Sequence, residues 1–161
     1  MQLSQANHQH SPPHVHIPRE YNAALDLLTR NANRPNKVAF IDAVTGQQLT
    51  YGELTDQCWR FANALRAQGF TPETRVMLCM LDTPQWVVAF LGCMLAGVVP
   101  IATNTLLTTK DFDYMLRDSR AKALIVSHAL LPAFESLIGK IDTLQTVIVA
   151  GQTEGGSHLS M

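Results

Sequence analysis

The chain has 161 residues, of which 47% are hydrophobic, and this is enough for one domain with a buried core. Its formal net charge of −1 leaves no basic excess for binding nucleic acid or an anionic membrane.

The first 20 residues are polar and contain Pro12, Pro13 and Pro18, so we expect a disordered tail over residues 1–20. The spacing of the histidines in this tail matches no structural zinc pattern, and no cysteine lies near them. We therefore expect no metal site from this group, which consists of His8, His10, His14 and His16.

Ordered structure is expected from Tyr21 onward. Apolar residues at helical spacing predict a helix over residues 22–30, which Pro35 and the residues before it stop. Two short β-type runs then flank Thr45 and Gly46, which predicts a hairpin within residues 37–51.

The stretch LTYGEL, residues 49–54, has the pattern of a helix start. Thr50 is the predicted N-cap, and Glu53 follows at the third helical position, as in a capping box. Leu49 and Leu54 flank the box at the spacing of a hydrophobic staple, and Gly69 is placed to end the helix. Helix capping accounts for this motif without a ligand.

A repeating strand–helix pattern follows. Four apolar runs predict strands of a parallel sheet, because Val76, Val99, Leu124 and Val147 are spaced by 23, 25 and 23 residues, which suits βαβ crossovers. The predicted strands are residues 75–81, 98–102, 123–127 and 146–150. The predicted helices are residues 84–96, a helix opening at Thr108 or Thr109, and residues 131–138 ending at Gly139. The expected fold class is α/β, with a mostly parallel sheet, helices on both faces, and a helix and β-hairpin preceding it.

No charged residue occurs from Thr83 to Thr109, a window long enough to span a bilayer. Gly97 and Pro100 interrupt it, and basic flanks are missing. A helix that is apolar almost all round, sandwiched in the interior, followed by a short buried strand, explains the window better. Pro100 should lie near a strand end or where its missing N–H is not needed.

The residues alone indicate no catalytic centre. Cys58, Cys79 and Cys93 each lie in an apolar segment, as expected of reduced core cysteines in a cytosolic protein. His128 follows a strand and is expected at the surface. Glycine-rich phosphate-binding patterns and the G-x-S-x-G elbow do not occur. We predict no catalytic residue and no metal ligand in this chain.

Two motifs resemble those of the acyl-adenylate-forming enzymes, which include acyl-CoA synthetases, peptide-synthetase adenylation domains and luciferases. LTYGEL resembles the first conserved motif of that superfamily, and MLAGVVPIATN, residues 94–104, resembles the second. Within the superfamily, several segments that follow one another in the correct order are most similar to benzoate–CoA ligases and their hydroxybenzoate and aminobenzoate relatives. These segments are YNAALDLL, RPNKVAFID, VMLCMLDT, FLGCMLAGVVP, NTLLT and DYMLRDSRAKALIVS.

The resemblance implies a two-step reaction of an aromatic carboxylate with MgATP and then with CoA, giving an aryl-CoA, AMP and pyrophosphate. ATP, Mg²⁺ and CoA are thus the implied cofactors and co-substrates of a longer enzyme. The phosphate loop and the C-terminal catalytic lysine of the superfamily lie beyond the matched region. We therefore expect residues 21–150 to be an incomplete N-terminal α/β subdomain, residues 151–161 a truncated polar tail, and the chain alone to be inactive.

One ligand contact is implied. In aryl-CoA relatives, the loop after the second motif lies toward the CoA nucleotide, and its equivalent here contains Asn104 and Thr105, with Lys110 as the nearest cation. Some relatives have a basic residue where this chain has Leu106. The other interpretation is that Asn104 and Thr105 satisfy backbone groups where the strand turns.

Two further hypotheses stay open on the sequence. The chain could come from another acyl-CoA synthetase or an amino-acid adenylating enzyme, or it could be a stand-alone α/β module that binds a nucleotide or a partner. An open sheet edge in an incomplete subdomain would favour self-association. A clean monomer would favour the stand-alone module.

Overall fold

The computed structural model describes residues 2–151 and the backbone of residues 159–160. At its start, β1 (Gln5–Asn7) pairs antiparallel with β2 (His14–His16). This hairpin corrects the expectation of a disordered tail over residues 1–20. Its side chains are exposed, and the segment is anchored instead by Ser4, whose N–H and hydroxyl donate to Asp26 Oδ2 at 3.0 and 2.5 Å.

The helix and hairpin predicted before the sheet are confirmed. The helix α1 (Ala23–Arg30) begins after Asn22, whose side-chain oxygen accepts from the Leu25 N–H at 3.0 Å. The strands β3 (Val38–Ile41) and β4 (Gln48–Thr50) then pair antiparallel.

The capping box of the next helix is also confirmed. The helix α2 (Tyr51–Ala67) begins after Thr50, whose N–H donates to Glu53 Oε2 at 2.8 Å, and the Glu53 N–H donates back to Thr50 Oγ1 at 3.3 Å. Both backbone donors are therefore satisfied within the motif.

The central sheet has five parallel strands in the order β6-β5-β7-β8-β9, with helices in the connections from β5 to β8. Its elements are β5 (Arg75–Cys79), α3 (Pro84–Ala96), β6 (Val99–Ala102), α4 (Thr109–Ser119), β7 (Ala123–Ser127), a 3₁₀ helix (His128–Ala133), β8 (Thr146–Ala150) and β9 (Leu159–Ser160). The predicted fold class is thus confirmed. Residues 152–158 and 161 of the predicted polar tail lie outside the described residues.

Alternation along the strands divides the interior into two cores, one on each face of the sheet. Val76 and Leu78 of β5 point into a core formed with α1, α2 and α3. Met77 and Cys79 point into the opposite core, which α4 and the segment after β7 close with Phe112 and Phe134.

The predicted α-helix over residues 131–138 is wrong. The chain forms the 3₁₀ helix and then turns, in which the Phe134 N–H donates to the Leu131 carbonyl at 2.9 Å. Pro132 lies inside the 3₁₀ helix and has no N–H for an α-helical bond. Most of the bonds that follow are also short in sequence, as between the Leu137 N–H and the Phe134 carbonyl at 2.8 Å, so no continuous α-helical ladder forms.

The helix α3 is less enclosed than predicted. One side packs tightly on α2, where a Cβ on Gly92 would lie 2.8 Å from Phe61 Cδ1. The other side has an apolar arc that is only half-buried, formed by Trp86, Val87, Phe90, Leu91 and Met94. Of the helices that the structure describes, none combines the length and the hydropathy that a bilayer-spanning segment needs.

Pro100 lies on β6, the edge strand of the sheet. The N–H groups of Val99 and Thr103 donate inward to β5 and its flank, to the carbonyls of Thr74 and Leu78 at 2.8 and 3.0 Å. In a parallel ladder this alternation turns the nitrogen of Pro100 outward, away from β5. The missing donor therefore costs no hydrogen bond within the sheet, as the sequence predicted.

Candidate functional site

The strand order creates a topological switch point between β5 and β7. The chain leaves β5 through α3 on one face of the sheet, and it leaves β7 through the 3₁₀ helix on the other face. The two exits therefore diverge and leave a crevice at the carboxyl ends of the strands, where open α/β sheets bind their ligands.

This switch-point crevice has a volume of about 300 Å³. The lining comes from the ends of three neighbouring strands and from the start of α3, and it includes Leu81, Thr83, Gln85, Ser127, His128 and Gly151. Polar groups thus face one another across a largely apolar floor, as in many small-molecule sites.

Ser127 joins the two sides of the crevice. It is 7% exposed, and its hydroxyl oxygen accepts the Leu81 N–H at 2.9 Å. The bond fixes the exit of β5 against the end of β7. Sequence reasoning missed it, because the partners lie 46 residues apart and a serine at a strand end has many other uses.

Thr83 and His128 lie at the rim of the crevice. Thr83 is the N-cap residue of α3, as predicted, but its side chain makes no capping hydrogen bond. His128 is exposed, as predicted. Both polar side chains are thus placed at the mouth, where they can meet a ligand or a neighbouring part of the protein.

The β6 exit loop, residues 103–108, lies at the same carboxyl edge of the sheet. Thr103 is held on β5, because its N–H and its hydroxyl both donate to the Leu78 carbonyl at 3.0 Å. Asn104 is exposed, and its side-chain oxygen accepts the Leu106 N–H at 2.9 Å. This contact agrees with the alternative interpretation of Asn104, in which its side chain satisfies a backbone group where the strand turns. Thr105 is half-buried, and Leu106 is 88% exposed.

A second capping box, which sequence reasoning missed, begins α4 directly after the loop. The Thr108 N–H donates to Asp111 Oδ2 at 2.9 Å, and the Asp111 N–H donates to Thr108 Oγ1 at 3.4 Å. The Thr108 hydroxyl is the main cause that lowers the pKa of Asp111, and the charge of Lys110 adds a smaller effect. The signal was present as T-x-x-D at residues 108–111.

The structure does not place the three predicted contact residues in one cavity. Lys110 is exposed and lines a shallow groove along α4 of about 840 Å³, together with Tyr114 and Arg117. Asn104 and Thr105 lie in the preceding loop and do not line that groove. What Asn104, Thr105 and Lys110 share is their position at the carboxyl edge of the sheet.

The described residues contain no cluster of three or more histidine, cysteine or acidic side chains that could hold a metal ion. Cys58, Cys79 and Cys93 are buried free thiols, as predicted. Burial raises the pKa of Cys58 and of Cys93 to about 12 and raises that of Cys79, so these thiols stay protonated near neutral pH.

Comparison with known families decides the relationship. Residues 27–159 match the family described as AMP-binding enzyme. The chain belongs to this family. The resemblance inferred from LTYGEL and MLAGVVPIATN is thereby confirmed.

The chain is 46% identical over 152 residues to a benzoate–CoA ligase of Thauera aromatica, a match that covers 92% of this chain and 28% of that protein. It is 45% identical to the crystal structure of a benzoate CoA ligase from Burkholderia xenovorans, with a TM-score of 0.73 over 82% of this chain and 26% of that one. An anthranilate CoA ligase solved with anthranoyl-AMP gives a TM-score of 0.82 at 34% identity, over 89% and 27% of the two chains. The chain thus spans about a quarter of the length of these relatives.

Proposed function

We propose that the chain is the N-terminal part of an ATP-dependent ligase that joins benzoate, or a closely related aromatic carboxylate, to CoA. The observation that supports this most strongly is the 46% identity to a benzoate–CoA ligase across 92% of the chain. The whole enzyme would convert the acid and ATP to an acyl-adenylate and pyrophosphate, and the CoA thiol would then displace AMP. We propose the cytoplasm as the compartment of this enzyme.

In this proposal the chain supplies scaffold rather than catalytic groups. Mg²⁺ ligands are not assigned to it, because no suitable cluster of side chains occurs among the described residues. The ATP and acyl sites are likewise left to other parts of the enzyme. We expect the isolated chain to release no pyrophosphate when it is given benzoate and ATP.

The β6 exit loop is proposed to lie at the edge of the CoA site. Asn104 and Lys110 are exposed at the carboxyl edge of the sheet, and Thr105 lies between them in the chain. The Lys110 ammonium is suited to a phosphate of the CoA nucleotide, acting as a point charge. Asn104 and Thr105 would provide hydrogen bonds at the same edge.

Anthranilate is the alternative substrate that a specific observation favours. The TM-score of 0.82 to the anthranilate CoA ligase exceeds the value of 0.73 for the benzoate enzyme of B. xenovorans. Sequence identity favours benzoate, at 45% against 34%. We give more weight to identity, because one fold serves many substrates.

A chimera tests the proposal. The matching region of the T. aromatica ligase is replaced by residues 1–161, and benzoate-dependent AMP formation is measured. The host supplies the acyl site, so the test asks whether this chain serves as the N-terminal part of such a ligase. We expect benzoate-dependent activity in the chimera and none in the isolated chain. A folded chimera without aryl-CoA formation, or pyrophosphate release by the isolated chain, would count against the proposal.

The CoA-edge contact is tested in the same chimera with Lys110→Met. Loss of one exposed charge contact, worth about 1 kcal/mol, should raise the KM for CoA by roughly three- to tenfold and leave the KM for ATP unchanged. Lys140→Met is the matched control, since Lys140 is also exposed but follows the 3₁₀ segment. An unchanged KM for CoA would remove Lys110 from the site.

A further inference from the structure

The N-terminal hairpin, formed by β1 and β2, contains a contact between two histidines. The ring centroids of His10 and His14 lie 4.1 Å apart and the ring planes differ by 9°, so the two imidazoles are stacked face to face. His10 lies in the connection between the strands, and His14 begins β2. The stack therefore joins the turn of the hairpin to its second strand.

Few other contacts keep this hairpin closed. Each strand has three residues, and their connection, residues 8–13, is longer than the roughly two to five residues of most hairpin loops. Pro12 and Pro13 supply no N–H to the turn, and within the described part of the chain no backbone–backbone hydrogen bond involves residues 8–13. An isolated two-stranded hairpin is marginally stable in water. The loss of one contact is therefore enough to shift it toward an open form.

The strands of the hairpin offer the stacked rings no negative charge. The cross-strand partners of His14 and His16 are Asn7 and Gln5, which are neutral amides. His16 lies on the same face of β2 as His14, and His8 lies in the turn, so the ionisable neighbours are further imidazoles. The ion pairs found among the described residues all join an arginine to an aspartate within one helix. A proton taken up by the stack thus meets no carboxylate partner there.

The charged groups at the base of the hairpin are already paired. Asp26 and Arg30 form an ion pair on α1, and both bind the hydroxyl of Ser4, which precedes β1. The hydrogen bond from Ser4 is the main cause that holds the pKa of Asp26 well below its ordinary value. This carboxylate therefore stays ionised throughout the pH range in which histidine changes its charge. The anchor at Ser4 persists while the imidazoles titrate.

We propose that the His10–His14 stack is a pH-sensitive clasp, which is closed when the imidazoles are neutral and opens when both are protonated. Histidine changes its charge between about pH 5 and 8, and two positive rings about 4 Å apart repel each other. Opening the hairpin separates the rings, so the open form binds more protons, and the closed form is favoured as the pH rises. In mild acid the segment then stays attached at Ser4 while its two strands separate. This proposal is independent of the proposed function.

Nuclear magnetic resonance of the 161-residue chain tests the clasp. Ala6 and Val15 are paired across the two strands, so the intensity of the nuclear Overhauser contact between them measures the closed fraction. We expect the ratio of closed to open hairpin to fall about fivefold from about pH 7.5 to about pH 5.5, which is the effect of two unit charges about 4 Å apart in water. The fall should be smaller in about 1 M salt, where the screening length is only about 3 Å.

Two variants separate the stack from the other histidines. His14→Phe keeps an aromatic ring in the stack but removes one ionisable group, so its hairpin should stay closed at both pH values. His8→Gln is the matched control, because it removes an exposed histidine outside the stack, and it should respond as the wild type does. Unchanged signals from the central sheet show that the rest of each variant is folded.

Three results would overturn the proposal. The first is a wild-type hairpin that is equally closed at both pH values, and the second is a pH response that survives in His14→Phe. The third is a response that disappears in His8→Gln, because the total charge of the histidines would then open the hairpin rather than the stacked pair.

Discussion

Asp26 shows how a single residue ties the beginning of the chain to the fold. It is 4% exposed, and its carboxylate accepts hydrogen bonds from Ser4, Tyr21 and Arg30. The bond from the Ser4 hydroxyl is the main cause that holds the pKa of Asp26 well below its ordinary value, with Arg30 and Tyr21 adding to it and burial opposing it.

Asp26→Asn should destabilise the chain in a pH-dependent way. A carboxyl group with a lowered pKa in the folded state stabilises it above the unfolded pKa of about 3.9, and this contribution is lost as the pH falls below that value. Urea unfolding should therefore show a large difference between wild type and variant at pH 7 and a smaller one at pH 3.

Asp56→Asn is the control for this prediction, since the Asp56–Arg60 ion pair is exposed on α2. It should change stability little at either pH. An equal loss for Asp26→Asn at both pH values would mean that the charge of Asp26 contributes nothing.

Contacts between residues far apart in the chain, such as those of Asp26, could not be predicted from the sequence. Local pairs such as Thr50 and Glu53 follow a pattern three residues long, which sequence alone can identify. The Ser4–Asp26 and Ser127–Leu81 contacts join segments 22 and 46 residues apart. They depend on tertiary packing, and no local preference of serine predicts its partner.

At the scale of the elements, the junction between α3 and β6 requires of Gly97 both a left-handed backbone conformation and the absence of a side chain. Gly97 has a φ of +80° at the end of α3, and a Cβ there would lie 3.3 Å from Pro72 Cβ. Gly139 has the same φ of +80° but has no atom within 4 Å of the added Cβ. The two glycines therefore separate backbone strain from crowding.

Gly139→Ala should lower the free energy of unfolding by about 1–2 kcal/mol, the cost of the left-handed conformation. Gly97→Ala should cost about 1 kcal/mol more, because Pro72 must also move. Urea midpoints of the two variants provide the comparison. Equal losses would show that the contact with Pro72 relaxes without cost.

Element types were predicted well where periodicity and caps agreed. The parallel strands and the helices α2, α3 and α4 follow from apolar runs bounded by N-cap threonines and, for α2 and α3, by glycines. The prediction failed for the segment after β7, where apolar residues at helical spacing form a 3₁₀ helix followed by turns. The candidate site could be located only at its β6 exit loop, because the switch-point crevice requires the strand order.

At the scale of the whole molecule, the open edge at β6 is the expected route to self-association. Pro100 turns its nitrogen toward this edge, so one potential donor for a second strand is absent. We propose that the chain can self-associate through this edge and that Pro100 weakens this association.

Pro100→Val restores the outward N–H and should increase self-association, measured by sedimentation velocity over a range of concentrations. Pro13→Val, in the exposed turn between β1 and β2, is the control. Oligomers that increase equally in both variants, or in neither, would contradict a protective role for Pro100.

The strand order also determines when the sheet can be completed during synthesis. β5 is the first strand of the sheet to leave the ribosome, yet its two neighbours, β6 and β7, end only at Ala102 and Ser127. Until the chain has been synthesised as far as Ser127, one side of β5 therefore lacks its partner strand. Until then the helices already made, α1, α2 and α3, can cover the face of β5 that carries Val76 and Leu78, so the early helical segment protects that face of a strand that still lacks a partner.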